Sequence, residues 1–321
     1  MFRVVILGHG KMLANLISGV IDANCKIVGV FRYENINVLP IYQKLKDFLF
    51  PSIEYNYIKS YNLHDIKLRS ANSEKFKIKL LKLKPDIVLV GTWSEILKKD
   101  IIQLPKIAMI NVHPSMLPKY RGPNPYLQSI WHGEQQSGIT FHLMTEKLDA
   151  GPILLQKSVE IKPDDTGKEL RERTYLEARQ SVTELINQLK EDFVIPVEQN
   201  EAKATYYPQI KNDDVMLNFS KPAVEIYNHI RAFNPWTKTY FPHKNVFFYP
   251  NPYKIRILEN VSDKTECGLI IDKSAKNSSV TVICGDGKLL EMSGLKIYNK
   301  FKNLFVKLYI KSFVKQFDSI L

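Results

Sequence analysis

The opening stretch restricts the fold of this chain most. The apolar run Val4-Val5-Ile6-Leu7 breaks at Gly8-His9-Gly10, helical spacing follows through Met12, Leu16, Ile17 and Val20, and a second apolar run spans Ile27 to Phe31. Continuous branched apolar runs suit strands buried on both faces, the glycines suit a tight turn, and apolar residues three and four apart mark one face of a helix. Strand, turn, helix and strand make a βαβ unit with a right-handed crossover, so the sheet begins parallel. Further strands are expected at Ile87 to Val90, entered through Lys84-Pro85-Asp86, and at Ile107 to Val112, with a helix from about Ser94 to Gln103 between them. After a Gly/Pro-rich loop and a helix through Tyr126 to Trp131, Ile139 to Met144 and Ile153 to Ile161 read as a pair of sheet-edge strands. A helix from about Thr166 to Leu189 closes the domain. The expectation is an α/β, Rossmann-like, doubly wound and mostly parallel sheet.

With 321 residues there is room for a second core. The pattern turns polar around Val194 to Tyr207, and short strand-like runs follow at Val246 to Tyr249, Ile255 to Leu258, Leu269 to Ile271, Val280 to Cys284 and Leu289 to Met292. Their close spacing points to a small C-terminal β-barrel. The expected organisation is a catalytic domain over 1–192, a linker over 193–205 and the barrel domain over 206–321. Between Arg32 and Glu74 the sequence is aromatic and basic without sustained period; a helix is expected at Leu39 to Leu49, then loops.

Three cysteines, Cys25, Cys267 and Cys284, form neither a metal-ligand pattern nor a disulfide framework, which favours a reducing, cytoplasmic setting and no metal. No segment approaches the roughly 18 unbroken apolar residues of a membrane span, and no signal peptide is read at the N-terminus, so no membrane partner is expected. The net charge of +12 favours anionic partners.

The residues that carry chemistry lie in Ile110-Asn111-Val112-His113-Pro114-Ser115, at the C-terminal end of a buried strand, where open α/β sheets bind ligands. Residues two apart share a strand face, so Asn111 and His113 project together. The turn Lys147-Leu148-Asp149-Ala150-Gly151-Pro152 can return a carboxylate to the same edge. An amide, an imidazole and a carboxylate suit acyl transfer to an amine: His113 handles the amine's proton, Asn111 donates to the oxyanion, and Asp149 orients His113 and stabilises its charged form. No nucleophile is needed: no Cys lies nearby, and Ser115 lacks the context of a nucleophile elbow.

The run Asn111-x-His113-Pro114-Ser115-x-Leu117-Pro118-x-Tyr120-Arg121-Gly122, followed by Leu148-Asp149-Ala150-Gly151, resembles the signature of the folate-dependent formyltransferases. The resemblance implies the formyltransferase fold, catalysis by Asn111, His113 and Asp149, and 10-formyltetrahydrofolate as formyl donor. It places the donor's pterin against Trp93, Ile96 and Leu97, with Ser115, Leu117, Pro118 and Leu148 beside it, and the acceptor near Arg121, Gly122 and Arg32. Trp93-Ser94-Glu95 departs from the Ala-Tyr-Gly-Leu-Ile-Leu-Pro-like run usual at this place in methionyl-tRNA formyltransferases. In the second half, Ala204-Thr205-Tyr206-Tyr207-Pro208-Gln209-Ile210, Ile230-Arg231-Ala232-Phe233-Asn234-Pro235-Trp236 and Gly285-Asp286-Gly287 resemble the OB-like C-terminal domain of those enzymes.

Two acceptors stay open. From Tyr206 onward there are 17 Lys/Arg against 10 Asp/Glu, and Lys296 to Lys315 interleaves lysines with Tyr298, Phe301, Phe305 and Tyr309, a pattern able to follow a tRNA backbone or simply to form a solvated face. Against tRNA, Arg32 to Leu49 lacks the Gly/Arg/Lys-rich insertion usual after the second strand of methionyl-tRNA formyltransferases, and Arg32-Tyr33-Glu34-Asn35-Ile36-Asn37 suits a pocket for a nucleotide-linked amino sugar. Other classes fit less well. A dinucleotide-binding fingerprint fails because Leu13 stands at the third glycine position, a non-enzymatic RNA-binding protein has no use for Asn111, His113 and Asp149 together, and a deformylase shares the core without needing an amine.

Overall fold

The computed structural model describes residues 1–33, 49–243, 246–260, 266–274 and 278–299. The helix expected at Leu39 to Leu49 falls almost entirely outside them, as does the lysine-rich stretch beyond Asn299. In chain order the first domain runs β1 (Arg3–Gly8), α1 (Gly10–Asp22), β2 (Lys26–Tyr33), α2 (Ile53–Ser60), β3 (Asp65–Leu68), α3 (Glu74–Leu83), β4 (Ile87–Gly91), the helical turn α4 (Lys99–Ile102), β5 (Ala108–His113), α5 (Pro125–Trp131), β6 (Gln136–Leu143), β7 (Ile153–Glu160) and α6 (Gly167–Lys190). Its seven strands lie in the order β3-β2-β1-β4-β5-β6-β7. The first five are parallel, and β6 and β7 finish the sheet antiparallel. This is the expected doubly wound sheet with its edge pair.

The two sheet faces have separate cores. Val4, Ile6, Leu89, Ile110 and Phe141 face α1 and α6 through Leu16, Ile17, Val182 and Leu185. Val5, Leu7, Val88 and Met109 pack on the other side with Phe31, Phe76 and Leu80. Thr166 caps α6 in a reciprocal box with Glu169, which explains why so polar a helix starts where it does.

Three sequence expectations need correction. The helix read over Ser94 to Gln103 shrinks to Lys99–Ile102, because the Glu95 carboxylate is tied to Ser70 Oγ, the Ala71 N–H (2.7 Å) and Asn72 Nδ2 (3.0 Å), which holds Ser94 to Leu97 in a loop. The loops expected after Leu49 contain α2 and β3. Only Glu54 and Ile58 of α2 are buried and β3 is four residues long, too little apolar pattern to mark either element. In the second half, Ala223–Phe233 is a helix, α7, in a stretch ahead of the strand-like runs where no element was expected.

Beyond α7 the strands are β8 (Phe241–His243), β9 (Val246–Tyr249), β10 (Ile255–Asn260), β11 (Ile270–Ser274), β12 (Ser279–Ile283), β13 (Lys288–Met292) and β14 (Lys296–Asn299). They form two antiparallel sheets, β10-β13-β12-β11 and β14-β9-β8. Ile226 and Ile230 of α7 pack into the same core as Phe241, Val282, Leu290 and Met292. The described strands thus make a smaller antiparallel domain of the expected class.

Helices α1 and α6 touch at Gly19, where an added Cβ would lie 2.2 Å from Val182 Cγ1 and 2.4 Å from the Arg179 carbonyl oxygen. Backbone cannot yield as a side chain can. Gly19→Ala is expected to cost about 1–3 kcal/mol by overpacking, seen as a fall in Tm of at least about 2 °C; an unchanged Tm would show that this helix contact is not close-packed.

Candidate active site

Four pieces of chain meet at the C-terminal edge of the parallel strands. They are the end of β5, the loop 114–124 that follows it, the turn between β6 and β7, and residues 197–207 after α6. Thr140 of β6 donates to the Ser115 carbonyl (2.6 Å) and accepts from the Leu117 N–H (3.3 Å), while Gln156 of β7 donates to the Leu117 carbonyl (2.9 Å). The loop is thereby tied across the antiparallel edge. Ser115, Leu117, Tyr120, Arg121 and Asn124 are buried.

Asn111, His113 and Asp149 come together. The Asn111 amide donates one hydrogen to Asp149 Oδ1 (3.1 Å) and the other to His142 Nε2 (3.1 Å). His142 can accept there because its Nδ1–H donates to the Leu143 carbonyl (2.9 Å). Asp149 Oδ2 accepts from the Gly122 N–H at 2.9 Å. His113 Nε2 lies 2.8 Å from the Tyr120 carbonyl, so that nitrogen carries the proton and Nδ1 keeps its lone pair. Nδ1 faces Asp149 Oδ1 at 3.6 Å, within electrostatic reach but beyond a direct hydrogen bond. The carbonyl of Tyr120, not Asp149 as the sequence suggested, sets the orientation of this ring.

Burial is the largest influence on both ionisable groups. It lowers the His113 pKa below its ordinary value, opposed by the neighbouring Asp149 charge, and the ring is neutral at neutral pH. For Asp149 burial works upward, but the His113 and His142 rings and the Gly122 N–H outweigh it and hold the carboxyl below the usual carboxylate range. A neutral imidazole beside an ionised carboxylate is able to accept a proton and to have the resulting cation stabilised at once.

The other expected residues are placed as follows. Trp93 stacks on Tyr33 with ring centroids 3.8 Å apart, and its buried Nε1 has no hydrogen-bond partner. Ile96 and Leu97 line a surface cleft of about 550 Å³ with Lys98, Lys99, Asp100, Gln103 and Glu146, Leu97 being buried in the core and Ile96 exposed. Leu148 is exposed beside Asp149, and the Pro118 carbonyl accepts from the Thr205 N–H. The Arg121 guanidinium turns to Gln199 Oε1 (2.8 Å) and Glu201 (2.8 Å), and Arg32 lies at the far end of β2 against Asp65 (2.6 Å) and Glu54 (3.8 Å).

Sequence reasoning missed His142, the Tyr120 carbonyl and Gln199. His142 stands directly across from Asn111 in the β5–β6 pairing, so its presence follows from register; the strand was visible but its register was not. Nothing in the local pattern of residues 197–207 marks Gln199.

The family model described as formyl transferase matches residues 2–186. This chain belongs to the formyl transferase family. It is an enzyme of formyl transfer, and the model of the formyl transferase C-terminal domain matches residues 209–303. A methionyl-tRNA formyltransferase of Thermotoga maritima is 31% identical over 232 residues, 72% of each chain. One of Stutzerimonas stutzeri is 29% identical over 287 residues, 89% of this chain and 88% of the relative. Among solved structures, an N-formyltransferase of Helicobacter canadensis in complex with folinic acid and dTDP-3-aminofucose superposes with a TM-score of 0.68 at 19% identity, over 91% of this chain and 99% of that one. That likeness concerns the fold. Among the described residues no group of three or more His, Cys, Asp or Glu is placed to hold a metal, and no helix is long and apolar enough to cross a membrane.

Because His113 accepts a proton only when neutral and its pKa is depressed, activity should persist as pH falls through 6.5 and fail only below it. Asp149→Asn removes the charge that raises His113, so the acid limb of kcat/KM should move further down. An acid limb above pH 6.5 in the unaltered enzyme would contradict this electrostatic arrangement.

Proposed function

We propose that this formyltransferase moves the formyl group of 10-formyltetrahydrofolate to the α-amine of methionyl-tRNA. The observation that carries the acceptor is the similarity to methionyl-tRNA formyltransferases along 89% of the chain, which takes in both domains. The basic excess after Tyr206 supports a polyanionic acceptor. The donor supplies an acyl group already activated for attack. A flat bicyclic pterin suits the apolar side chains of Ile96 and Leu97, and Lys98, Lys99, Asp100, Gln103 and Glu146 offer polar partners along the same cleft.

The chain's own residues then have separate tasks. His113 Nδ1 takes the proton from the amine as the new C–N bond forms and returns it to N10 of the donor as the formyl C–N10 bond breaks and tetrahydrofolate leaves, while its Nε2–H stays on the Tyr120 carbonyl throughout. Asp149 stabilises the imidazolium across 3.6 Å. Asn111 uses both amide hydrogens within the protein; the one held by His142 is the one to be redirected to the formyl oxygen as negative charge develops there. The buried surroundings exclude water, which would otherwise compete with the amine.

A nucleotide-linked amino sugar is the second reading. It is favoured by the stretch Arg32 to Leu49, which has no Gly/Arg/Lys-rich insertion.

The test is transfer from 10-formyltetrahydrofolate to methionyl-tRNA beside a panel of nucleotide-linked amino sugars. Transfer to the tRNA that falls steeply as salt rises is expected, with Asn111→Ala and His113→Ala each lowering turnover roughly a hundredfold or more. Formylation of a sugar alone would overturn the tRNA acceptor, and near-normal turnover by either variant would overturn its assigned role.

A further inference from the structure

Asp149 adopts φ of 50°, in the left-handed region that a non-glycine residue enters only where its surroundings hold it. The holding comes from outside the turn. Gln199 Nε2 donates to the Asp149 carbonyl (2.9 Å) and to the Gly151 carbonyl (2.8 Å), bracketing the strained residue. The same side chain accepts at Oε1 from Arg121 Nε (3.2 Å) and Nη2 (2.8 Å). Next to Arg121, Gly122 donates its N–H to the Asp149 carboxylate. One amide therefore joins the backbone of the carboxylate to the loop that solvates it.

The surrounding chain reinforces this link. Val197 pairs with Ile153 in both directions (2.8 and 2.9 Å), just after the Asp149 turn. Thr205 and Tyr207 bond the backbone of Pro118 and Arg121, and Thr205 Oγ1 accepts from the Tyr120 N–H (2.8 Å). A Cβ at Gly122 would lie 2.4 Å from the Tyr207 carbonyl oxygen, so the two segments are in direct backbone contact. Tyr120, fixed in this way, is the residue whose carbonyl orients His113. Gln199 is buried, so its four polar contacts are made without competition from water.

We propose that Gln199 is a positioning residue for formyl transfer: it holds the left-handed turn at Asp149 and the Arg121–Gly122 loop in one geometry. The proposal rests on the assignment of Asp149 to the reaction. The hydrogen bonds of Gln199 go to Arg121 and to the Asp149 and Gly151 carbonyls, none to His113, and its effect passes through the Asp149 carboxylate. A displacement of about 1 Å at such a group costs up to roughly a hundredfold in rate.

The experiment compares Gln199→Met and Gln199→Glu in the full chain, alone and combined with Asp149→Asn, using whichever amine the unaltered enzyme formylates. Gln199→Glu keeps an acceptor for Arg121 but loses both donations to the turn; Gln199→Met loses all four contacts at similar size. Both are expected to lower kcat about tenfold to a hundredfold with KM for donor and amine changed less than about threefold. In the Asp149→Asn background the same changes should cost little more, because residues acting as a unit are non-additive. Glu198→Gln, an exposed neighbour, serves as the control expected to match the unaltered enzyme. Full turnover in Gln199→Glu, a loss confined to KM, or a loss that adds in full to that of Asp149→Asn would overturn the proposal. If Asp149→Asn alone turned over normally, the site assignment would fall and the proposal with it, an outcome distinct from failure of the Gln199 variants alone.

Discussion

A carboxylate taken out of water must find donors in the protein, and the need to solvate Asp149 organises the whole edge of the sheet around it. Moving such a group from water into a buried site costs several kcal/mol unless hydrogen bonds and opposite charge replace the water. Here the replacement comes from two separate pieces of chain, Asn111 from β5 and Gly122 from the loop after it, with His113 facing the same oxygen as Asn111. The Asn111 amide reaches both Asp149 and His142 because β5 and β6 pair with Asn111 opposite His142 and His113 opposite Thr140. A one-residue slip would send this set to the other face. The glycine at 122, with φ of 97°, lets the loop turn its N–H inward.

The same burial that makes Asp149 costly makes His113 useful. One environment pushes the imidazole towards neutrality and still keeps the carboxyl ionised. Two groups held in opposite states, within 3.6 Å, form an acid–base pair ready before any substrate arrives. The tautomer is fixed by a backbone carbonyl, which cannot lose a proton or rotate away as a side chain can. That carbonyl belongs to Tyr120, whose φ of 61° is itself unusual, so strain and orientation sit in the same residue.

Much of the catalytic domain could be read from the sequence because its signals are local. Buried parallel strands such as Val4 to Leu7 and Ile87 to Val90 are continuous apolar runs, and Thr166 with Glu169 announces the start of α6. The placement of Asn111 and His113 on one strand face needed only the two-residue period. What escaped depends on distant chain. Ser94 to Leu97 fails to be helical because Glu95 is claimed by Ser70 to Asn72, and α2 and β3 carry too few buried residues to show a period. His142 and Gln199 matter through register and through a contact 50 residues away along the chain, and neither leaves a mark on its neighbours in sequence.

The central claim is that the fold holds His113 neutral, protonated on Nε2, with Nδ1 free towards an ionised Asp149. The most direct measurement is nitrogen-15 NMR of the His113 ring across pH, with Asp149→Asn beside the unaltered chain. The account predicts the Nε2–H tautomer at neutral pH, a titration midpoint below 6.5, and a still lower midpoint in Asp149→Asn. An Nδ1–H tautomer, or a midpoint above 6.5, would contradict it.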